Sequence, residues 1–374
     1  MRLPIWNLFG ILVITLGTAQ QGRADILIGA SGPMTGGMAW FGEQMLEGIG
    51  MKVAELNAAR GVLGRQIELL PVDDYCDPEQ AVAAARKLVE AQVDAVIGHL
   101  CSGAAIPASR IYEDAGILFF GSSATNPKLT DQGFRTVFRI AGRDTRQGIM
   151  AADYLADRWS DHNIAIVHDG GAYGGGVAEA AKRRLSDLGV REITFQAIEP
   201  GQTNYFDLID QLQGKDIDVL FFGGYYAEAG LIIRQARSRG YGVRMIGPDT
   251  LNTEFFWRVA GEASEGVLFP SNPELRKKPE AAPLVAKFRA KGYEPEGITL
   301  QTYTAMQVWA EAVEKAGTLE LVAVIESLRT NQFDTLFGTI RFDAKGDATG
   351  YEPFEWYIWR GGRYAPIDPA ELAK

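Results

Sequence analysis

The sequence is poor in the residues that usually carry metal or redox chemistry. Its 374 residues include two cysteines and three histidines, and none of them has the spacing of a zinc site. The P-loop, the HExxH metalloprotease motif and the GxSxG nucleophile elbow are also absent. A net charge of −10 creates a negative field that repels phosphate backbones. We therefore expect no metal, no cofactor and no nucleic-acid partner.

Long apolar runs are missing after the first two dozen residues, so no membrane-spanning segment is predicted there. The N-terminus itself carries an apolar stretch over about residues 8–16, which is shorter than the roughly 20 residues that a spanning helix needs. Gly22 and Ala24 place small residues at the −3 and −1 positions before Asp25. This layout is typical of a cleaved secretory signal peptide over residues 1–24. We expect an exported mature chain.

Export changes the interpretation of Cys76 and Cys101. In an oxidising compartment, two cysteines favour a disulfide over two free thiols or a metal-binding pair. The loop that such a bond would close is slightly longer than the 15-residue loop for which chain entropy gives about 3 kcal/mol of stabilisation. A catalytic Cys101 would need a free thiol, which the same compartment disfavours.

Short apolar strands alternate with amphipathic helical stretches along the mature sequence. Strands are predicted at 25–30 and 94–100, and the apolar positions of 40–59 recur every three or four residues, as on one face of a helix. Near-continuous apolar strands separated by helices predict parallel sheets that are covered on both faces. About 350 residues in this pattern predict two doubly wound α/β halves. A mostly helical stretch follows at 272–330, and then two late strands.

Polar residues stand at the predicted strand ends, where ligands bind in such sheets. In the first half, Ser102, Ser123 and Thr125 offer hydroxyl and backbone donors that suit a carboxylate. In the second half, Tyr225 and Asp249 suit an ammonium. The two walls together fit a zwitterion such as an α-amino acid. Spacing alone leaves two alternatives open, which are helix capping by the hydroxyls and a solvated loop charge at the acid.

One long segment carries a resemblance to a known family. The segment "VDDYCDPEQAVAAARKLVEAQVDAVIGHLCSGAAIPASRIYEDAGI" closely resembles the leucine/isoleucine/valine-binding proteins of bacterial ABC importers. The stretches "FFGGYYAEAG", "IGPD" and "FDAKGD" extend the similarity over essentially the whole mature chain. The resemblance implies a type I periplasmic binding protein, in which two α/β lobes are joined by a three-strand hinge and close over a ligand. We expect one lobe to comprise 25–143 and 272–349, and the other 144–271 and 350–374.

The resemblance also implies roles for individual residues. Ser102, Ser123 and Thr125 match positions that hold the ligand carboxylate, and Tyr225 and Asp249 match positions that hold its ammonium. A disulfide between Cys76 and Cys101 is implied as well. The other predicted ligand-binding residues are Trp40, Phe41, Leu100, Cys101, Ala124 and Tyr173.

This sequence departs from the family pattern at the predicted pocket. Position 249 is aspartate where the valine-type binder has glutamate, and position 123 is serine in place of alanine. The loop "GPMTGGMAWFG" looks about three residues longer than in the family and brings Trp40 beside Phe41. Ile298 stands at a position where an aromatic residue could close the pocket. Side-chain selectivity depends on such contacts, so the class of ligand is better defined than its identity.

We predict a monomeric periplasmic receptor that captures a branched-chain or other apolar amino acid and delivers it to the permease of an ABC importer. It is not expected to be an enzyme. One alternative is a receptor of the same fold for a ligand that is not an amino acid, such as an aliphatic amide or an aromatic acid. A more remote alternative is a secreted hydrolase that uses Ser102 or Ser123.

Overall fold

The fold is built on two large β-sheets flanked by helices. The structure is a computed structural model that describes residues 25–372. The predicted signal peptide lies outside the described residues. Within the described range, no helix combines the length and the apolar character that crossing a membrane would require.

The first sheet has five parallel strands, all from the first part of the chain. The strands of its centre are apolar and wholly buried, as expected for a parallel sheet covered on both faces. Its elements are β1 (Ile26–Gly32), α1 (Ala39–Ala58), β2 (Ile67–Asp73), α2 (Pro78–Glu90), β3 (Ala95–Gly98), α3 (Ser102–Ala115), β4 (Leu118–Gly121), α4 (Lys128–Asp131) and β5 (Val137–Arg139). The strand order is β2-β1-β3-β4-β5.

The second part of the chain repeats the alternation of strand and helix. Its strands β6 to β10 are again parallel, and the central strands β6 and β8 are apolar and almost wholly buried. The elements are α5 (Asp144–Trp159), β6 (Ile164–His168), α6 (Ala172–Asp187), β7 (Thr194–Ala197), α7 (Phe206–Gly214), β8 (Val219–Gly223), α8 (Tyr226–Ser238), β9 (Arg244–Ile246), α9 (Glu254–Ala260) and β10 (Leu268–Ser271).

The third part returns to the first sheet and then completes the second. Helix α11 packs on α1, where Gly48 permits the contact because a Cβ at that position would lie 2.1 Å from the Thr299 carbonyl oxygen. The elements are α10 (Ala282–Ala290), α11 (Thr299–Ala316), α12 (Leu321–Thr330), β11 (Phe333–Thr335), β12 (Gly338–Phe342), β13 (Ala348–Thr349), β14 (Glu355–Arg360), β15 (Arg363–Pro366) and α13 (Pro369–Leu372). Strands β11 to β13 form a small antiparallel sheet.

Strands β14 and β15 join the second sheet antiparallel, which gives it seven strands in the order β15-β14-β10-β9-β8-β6-β7. The chain therefore passes between the two large sheets three times, after β5, after β10 and after β13. The predicted fold class, two doubly wound α/β halves joined by three connections, is confirmed. The connections differ from the expected hinge in one respect. Strands were expected there, but residues 140–143, 272–274 and 350–354 have no regular strand structure.

A buried ionic network joins the first and third connections. Arg139 is wholly buried, and its Nε donates to Asp347 Oδ1 over 2.8 Å. Arg143 Nη1 donates to the other carboxylate oxygen of Asp347 over 2.5 Å. Nearby, the Tyr351 hydroxyl donates to the carbonyl of Ile140. Since Arg139 directly precedes the first connection and Asp347 lies three residues before the third, these bonds hold the two segments side by side.

Candidate ligand-binding site

A cavity of about 470 Å³ lies between the carboxyl ends of the strands of the two sheets. The residues that line the cavity are Phe41, Leu100, Ser102, Ser123, Thr125, Tyr173, Tyr225, Asp249, Thr250, Asn252, Asn272 and Ile298.

Eight of the eleven predicted ligand-binding residues line this cavity, and three do not. Ala124 is buried behind the wall, where its carbonyl accepts a hydrogen bond from Arg139 over 3.4 Å. Cys101 is buried beside Ser102, and Trp40 lies at the mouth of the cleft. The contact of each of these residues with a ligand remains a prediction.

The first wall of the cavity is rich in hydrogen-bond donors. Ser102 is the first residue of α3, but its hydroxyl does not cap that helix; it accepts a hydrogen bond from the Asn126 backbone N–H over 3.2 Å. Its own proton therefore stays available. The Ser123 hydroxyl has no hydrogen-bond partner among residues 25–372. Thr125 is buried, and its carbonyl accepts from the N–H of Asp144 over 2.9 Å.

The second wall consists of two tyrosines and a carboxylate. The rings of Tyr173 and Tyr225 lie 5.2 Å apart between centroids. The Tyr173 hydroxyl donates to Asp249 Oδ1 over 2.5 Å, and the Asp249 N–H donates to Gln147 Oε1 over 2.9 Å. These two bonds fix both the carboxylate and the backbone of Asp249, so that its charge is presented to the cavity in one orientation.

Burial strongly perturbs the acids of this region. It raises the pKa of Asp249 to about 6, because the cleft removes water from the carboxylate. It raises the pKa of Asp144 to about 8, and the nearby charge of Asp249 acts in the same direction. Burial also raises the pKa of Tyr173 and Tyr225, so both hydroxyls remain protonated donors at neutral pH. A positive group beside Asp249 would offset the loss of water.

An apolar surface completes the cavity. Phe41, Leu100 and Ile298 are each more than nine-tenths buried and come from α1, the end of β3 and the start of α11. Ile298 is held by its N–H, which donates to Gln44 Oε1 over 3.0 Å. The combination of a few convergent polar groups with an apolar surface is usual for a small-molecule site.

Aromatic side chains close the mouth of the cleft. Trp40 packs against Phe255 with 5.4 Å between ring centroids, and Phe41 packs against Tyr226 at 6.2 Å. The Tyr226 hydroxyl donates to the carbonyl of Gly37 over 2.6 Å. Because each pair joins the start of α1 to α8 or α9, the two halves touch across the opening.

The predicted disulfide between Cys76 and Cys101 is present, with 5.4 Å between the two Cα atoms. A buried polar chain lies beside it. The Cys76 N–H donates to Asp74 Oδ1 over 2.9 Å, and Asp74 Oδ2 lies 2.6 Å from His99 Nδ1. The disulfide and this chain anchor the backbone immediately before Ser102.

Sequence reasoning missed three lining residues, which are Thr250, Asn252 and Asn272. Thr250 follows Asp249 directly and donates to the Gly224 carbonyl over 2.7 Å. Asn272 follows β10, a strand that the apolar run before Ser271 could have indicated. Asn252 belongs to the turn after β9, and no signal in the sequence pattern distinguishes it.

A ligand cavity at the facing strand ends of two α/β halves, joined by three connections, defines a two-lobed binding protein. A sequence profile of the family described as "Periplasmic binding protein" matches residues 25–362. The chain belongs to this family.

Individual relatives agree with the family assignment. The leucine-, isoleucine-, valine-, threonine-, and alanine-binding protein of Pseudomonas aeruginosa is 38% identical over 355 residues, which are 94% of this chain and 95% of the relative. The leucine-binding protein LivK of Thermotoga maritima is 27% identical with a TM-score of 0.83, over 92% of this chain and 99% of that one. LivJ of Streptococcus pneumoniae, solved with isoleucine, is 25% identical with a TM-score of 0.82, over 92% of this chain and 100% of that one.

Proposed function

We propose that the protein is the periplasmic receptor of an ABC importer, and that it binds an amino acid in the cavity between its two sheets. The observation that carries the proposal is the arrangement of the cavity, with hydroxyl donors on one wall and the carboxylate of Asp249 on the other. The relatives support the same class of ligand, since their names and the isoleucine complex refer to amino acids.

In this proposal each wall binds one end of the ligand backbone. Ser102, Ser123 and Thr125 donate to the carboxylate, and such charge-assisted hydrogen bonds are stronger than neutral ones. Asp249 accepts from the ammonium, with Tyr225 beside it. The raised pKa of Asp249 supports this role, because a bound ammonium would restore the stabilisation that burial removes from its charged form.

The proposal extends to the whole chain. Residues 1–24 act as a cleaved signal peptide, and the mature protein is a monomer with lobes of 25–143 plus 272–349 and 144–271 plus 350–374. The lobes close over the ligand, and the closed form delivers it to the membrane permease. In this proposal the protein binds the ligand and hands it on unchanged.

A thermal-shift screen tests the proposal. The mature protein is unfolded and refolded to remove bound ligand, and then heated with each of the twenty amino acids, with aliphatic amides and with aromatic acids. A ligand at about 100 times its Kd adds roughly 2.7 kcal/mol to the free energy of unfolding, which gives a clear rise in Tm. Stabilisation by an amino acid is expected. If only an amide or an aromatic acid raises the Tm, the amino-acid assignment is wrong.

A further inference from the structure

A second cavity, of about 410 Å³, adjoins the ligand cavity on the side of the second connection. Asn252 and Asn272 line both cavities, so we call these two side chains the shared wall. The second cavity has a polar lining that includes Gln301, Glu274 and Arg276. The ligand cavity is therefore apolar on one side, at Phe41, Leu100 and Ile298, and polar on the side of the shared wall.

A chain of amides fixes which atom of Asn272 faces the cavities. The carbonyl of Ser122 can only accept, so it binds the Nε2 of Gln301. Gln301 must then present its Oε1 to Asn272, and the Asn272 Nδ2 donates to it over 2.7 Å. Asn272 Oδ1 is left as an acceptor that receives no hydrogen bond from any residue in the described chain. The Tyr357 hydroxyl holds the Asn272 backbone carbonyl over 2.9 Å.

Asn252 provides a second, less strictly oriented acceptor. Its Nδ2 donates to the Ser271 hydroxyl over 2.7 Å, and its Oδ1 has no partner in the part of the chain that is described. Because a hydroxyl can either donate or accept, the Ser271 contact does not fix the orientation of this amide as strictly. Asn272 is therefore the residue on which the inference rests.

The charges behind the shared wall are already paired with one another. Arg276 donates to Glu274 through Nε over 2.8 Å and through Nη2 over 2.6 Å, and its Nη1 lies 3.1 Å from Glu294. Glu294 also accepts from Arg289 Nε over 2.7 Å. Two positive and two negative groups therefore offset each other, and no unpaired charge is left to stabilise an ionised ligand side chain that loses its water here. A neutral donor does not carry that desolvation cost.

We infer that the ligand is an amino acid whose side chain ends in a neutral hydrogen-bond donor, a hydroxyl or a primary amide, which Asn272 Oδ1 accepts. The inference rests on the proposed function and narrows its ligand class. The aliphatic part of the side chain contacts Phe41, Leu100 and Ile298, and its polar end lies against the shared wall. A site that hydrogen-bonds a ligand group rejects the isostere that lacks it, because its own polar atom then stays unpaired.

Isothermal titration calorimetry tests the inference by comparing the affinities of paired amino acids that have similar shapes but differ in polarity. Threonine is compared with valine, asparagine with leucine, and glutamine with methionine. At least one polar member should bind the wild-type protein ten times or more tightly than its apolar counterpart. Asn272→Leu should reverse that preference, because it removes the acceptor and keeps the size of the side chain. Asn272→Ala, which cannot clash, should at least abolish it.

Asn204→Leu serves as the matched control. It makes the same substitution at an exposed asparagine that lines neither cavity, so the preference should remain. If the apolar members bind more tightly to the wild-type protein, and neither Asn272 variant changes the ratio, the inference is overturned while the proposed function stands. If no amino acid of any kind binds, the proposed function itself fails.

Discussion

At the residue scale, Asp249 carries a negative charge at a buried position, where little water is left to stabilise it. Tyr173 and Gln147 hold it by two hydrogen bonds, yet burial still raises its pKa to about 6. The shorter aspartate, in place of the glutamate expected from the family pattern, cannot reach far into the cavity. In the proposed function, the ligand ammonium would depend on this single, rigidly held carboxylate.

We predict that Asp249→Asn weakens amino-acid binding about ten- to hundredfold at pH 7.5, the effect of losing a hydrogen bond to a charged group.

The affinity of the wild-type protein for the amino acid should itself fall about tenfold between pH 7.5 and pH 5. The reason is that protonation of Asp249 below its pKa of about 6 removes the charge that the ammonium needs. The backbone groups of a free amino acid do not titrate in this range. Calorimetric titration at several pH values measures both effects.

Asp169→Asn is the matched control for this prediction. Burial also raises the pKa of Asp169 to about 6, but its side chain does not line the cavity. The control should keep both the affinity and its dependence on pH. An affinity that is flat from pH 7.5 to pH 5 in the wild-type protein would remove Asp249 from the ammonium role.

At the scale of the elements, the start of α1 acts as the outer edge of the cleft. The contact of Trp40 with the ligand stays a prediction; in the structure its ring packs against Phe255 of α9 and does not line the cavity. Its effect on binding is therefore expected to come from the contact between the two halves. Such an aromatic pair contributes about 0.5–1.5 kcal/mol beyond the area that it buries.

We predict that Trp40→Ala raises the dissociation rate constant of the ligand about two- to tenfold, because it weakens the closed form. The association rate constant should change much less. Stopped-flow fluorescence measures both rate constants. Mixing the protein with its ligand gives the association rate constant, and displacing the bound ligand gives the dissociation rate constant. Trp257→Ala is the control. Trp257 belongs to α9, as Phe255 does, but its side chain is exposed. Equal dissociation rates in the two variants would rule out a role for the Trp40 contact.

Elements with a strong local signal were predictable from the sequence. Helix α2 begins at Pro78 as expected, since Asp77 caps it with bonds of 2.9 Å to the N–H groups of Glu79 and Gln80. Strand β5 was not predicted, because it has three residues and ends in the buried Arg139. The charge of that arginine is paired with the carboxylate of Asp347, 208 residues later, and no local pattern contains such a partner.

The residues of the candidate site also divide into those that the sequence predicts and those that it does not. The residues directly after apolar strands, such as Ser102 and Tyr225, were predictable because strand ends meet at one edge of a parallel sheet. Asn272 was not predictable, because its position depends on a chain of amides that runs through Gln301 to Ser122. Such contacts arise from packing between distant segments rather than from periodicity.

At the scale of the whole molecule, a wholly buried carboxyl affects global stability. The pKa of Asp144 is raised to about 8 by burial, and one of its oxygens has no partner in the described range. In the unfolded chain an aspartate has a pKa of about 3.9. The folded protein therefore binds an extra proton between pH 4 and pH 8, and its stability is highest at the low end of this window and is lost as the pH rises through 8.

We predict that the free energy of unfolding of the ligand-free protein falls by about 1–2 kcal/mol between pH 6.5 and pH 8, given 1.36 kcal/mol for each pKa unit. Asp144→Asn should remove most of this slope, because the amide keeps the shape of the protonated acid and does not ionise. Urea denaturation at pH 6.5, 7, 7.5 and 8 measures it. If the variant retains the wild-type slope, another group is responsible.

The order of elements along the chain also has a consequence for biosynthesis. Arg139 emerges early from the ribosome but obtains Asp347 only near the end, and a buried charge without its partner costs about 3–5 kcal/mol. Strand β10 likewise receives its neighbour β14 from the last twenty residues. The second sheet is therefore complete only when the last residues have been made. The C-terminal segment therefore completes the fold, and a chain that lacked it would leave both Arg139 and β10 without their partners.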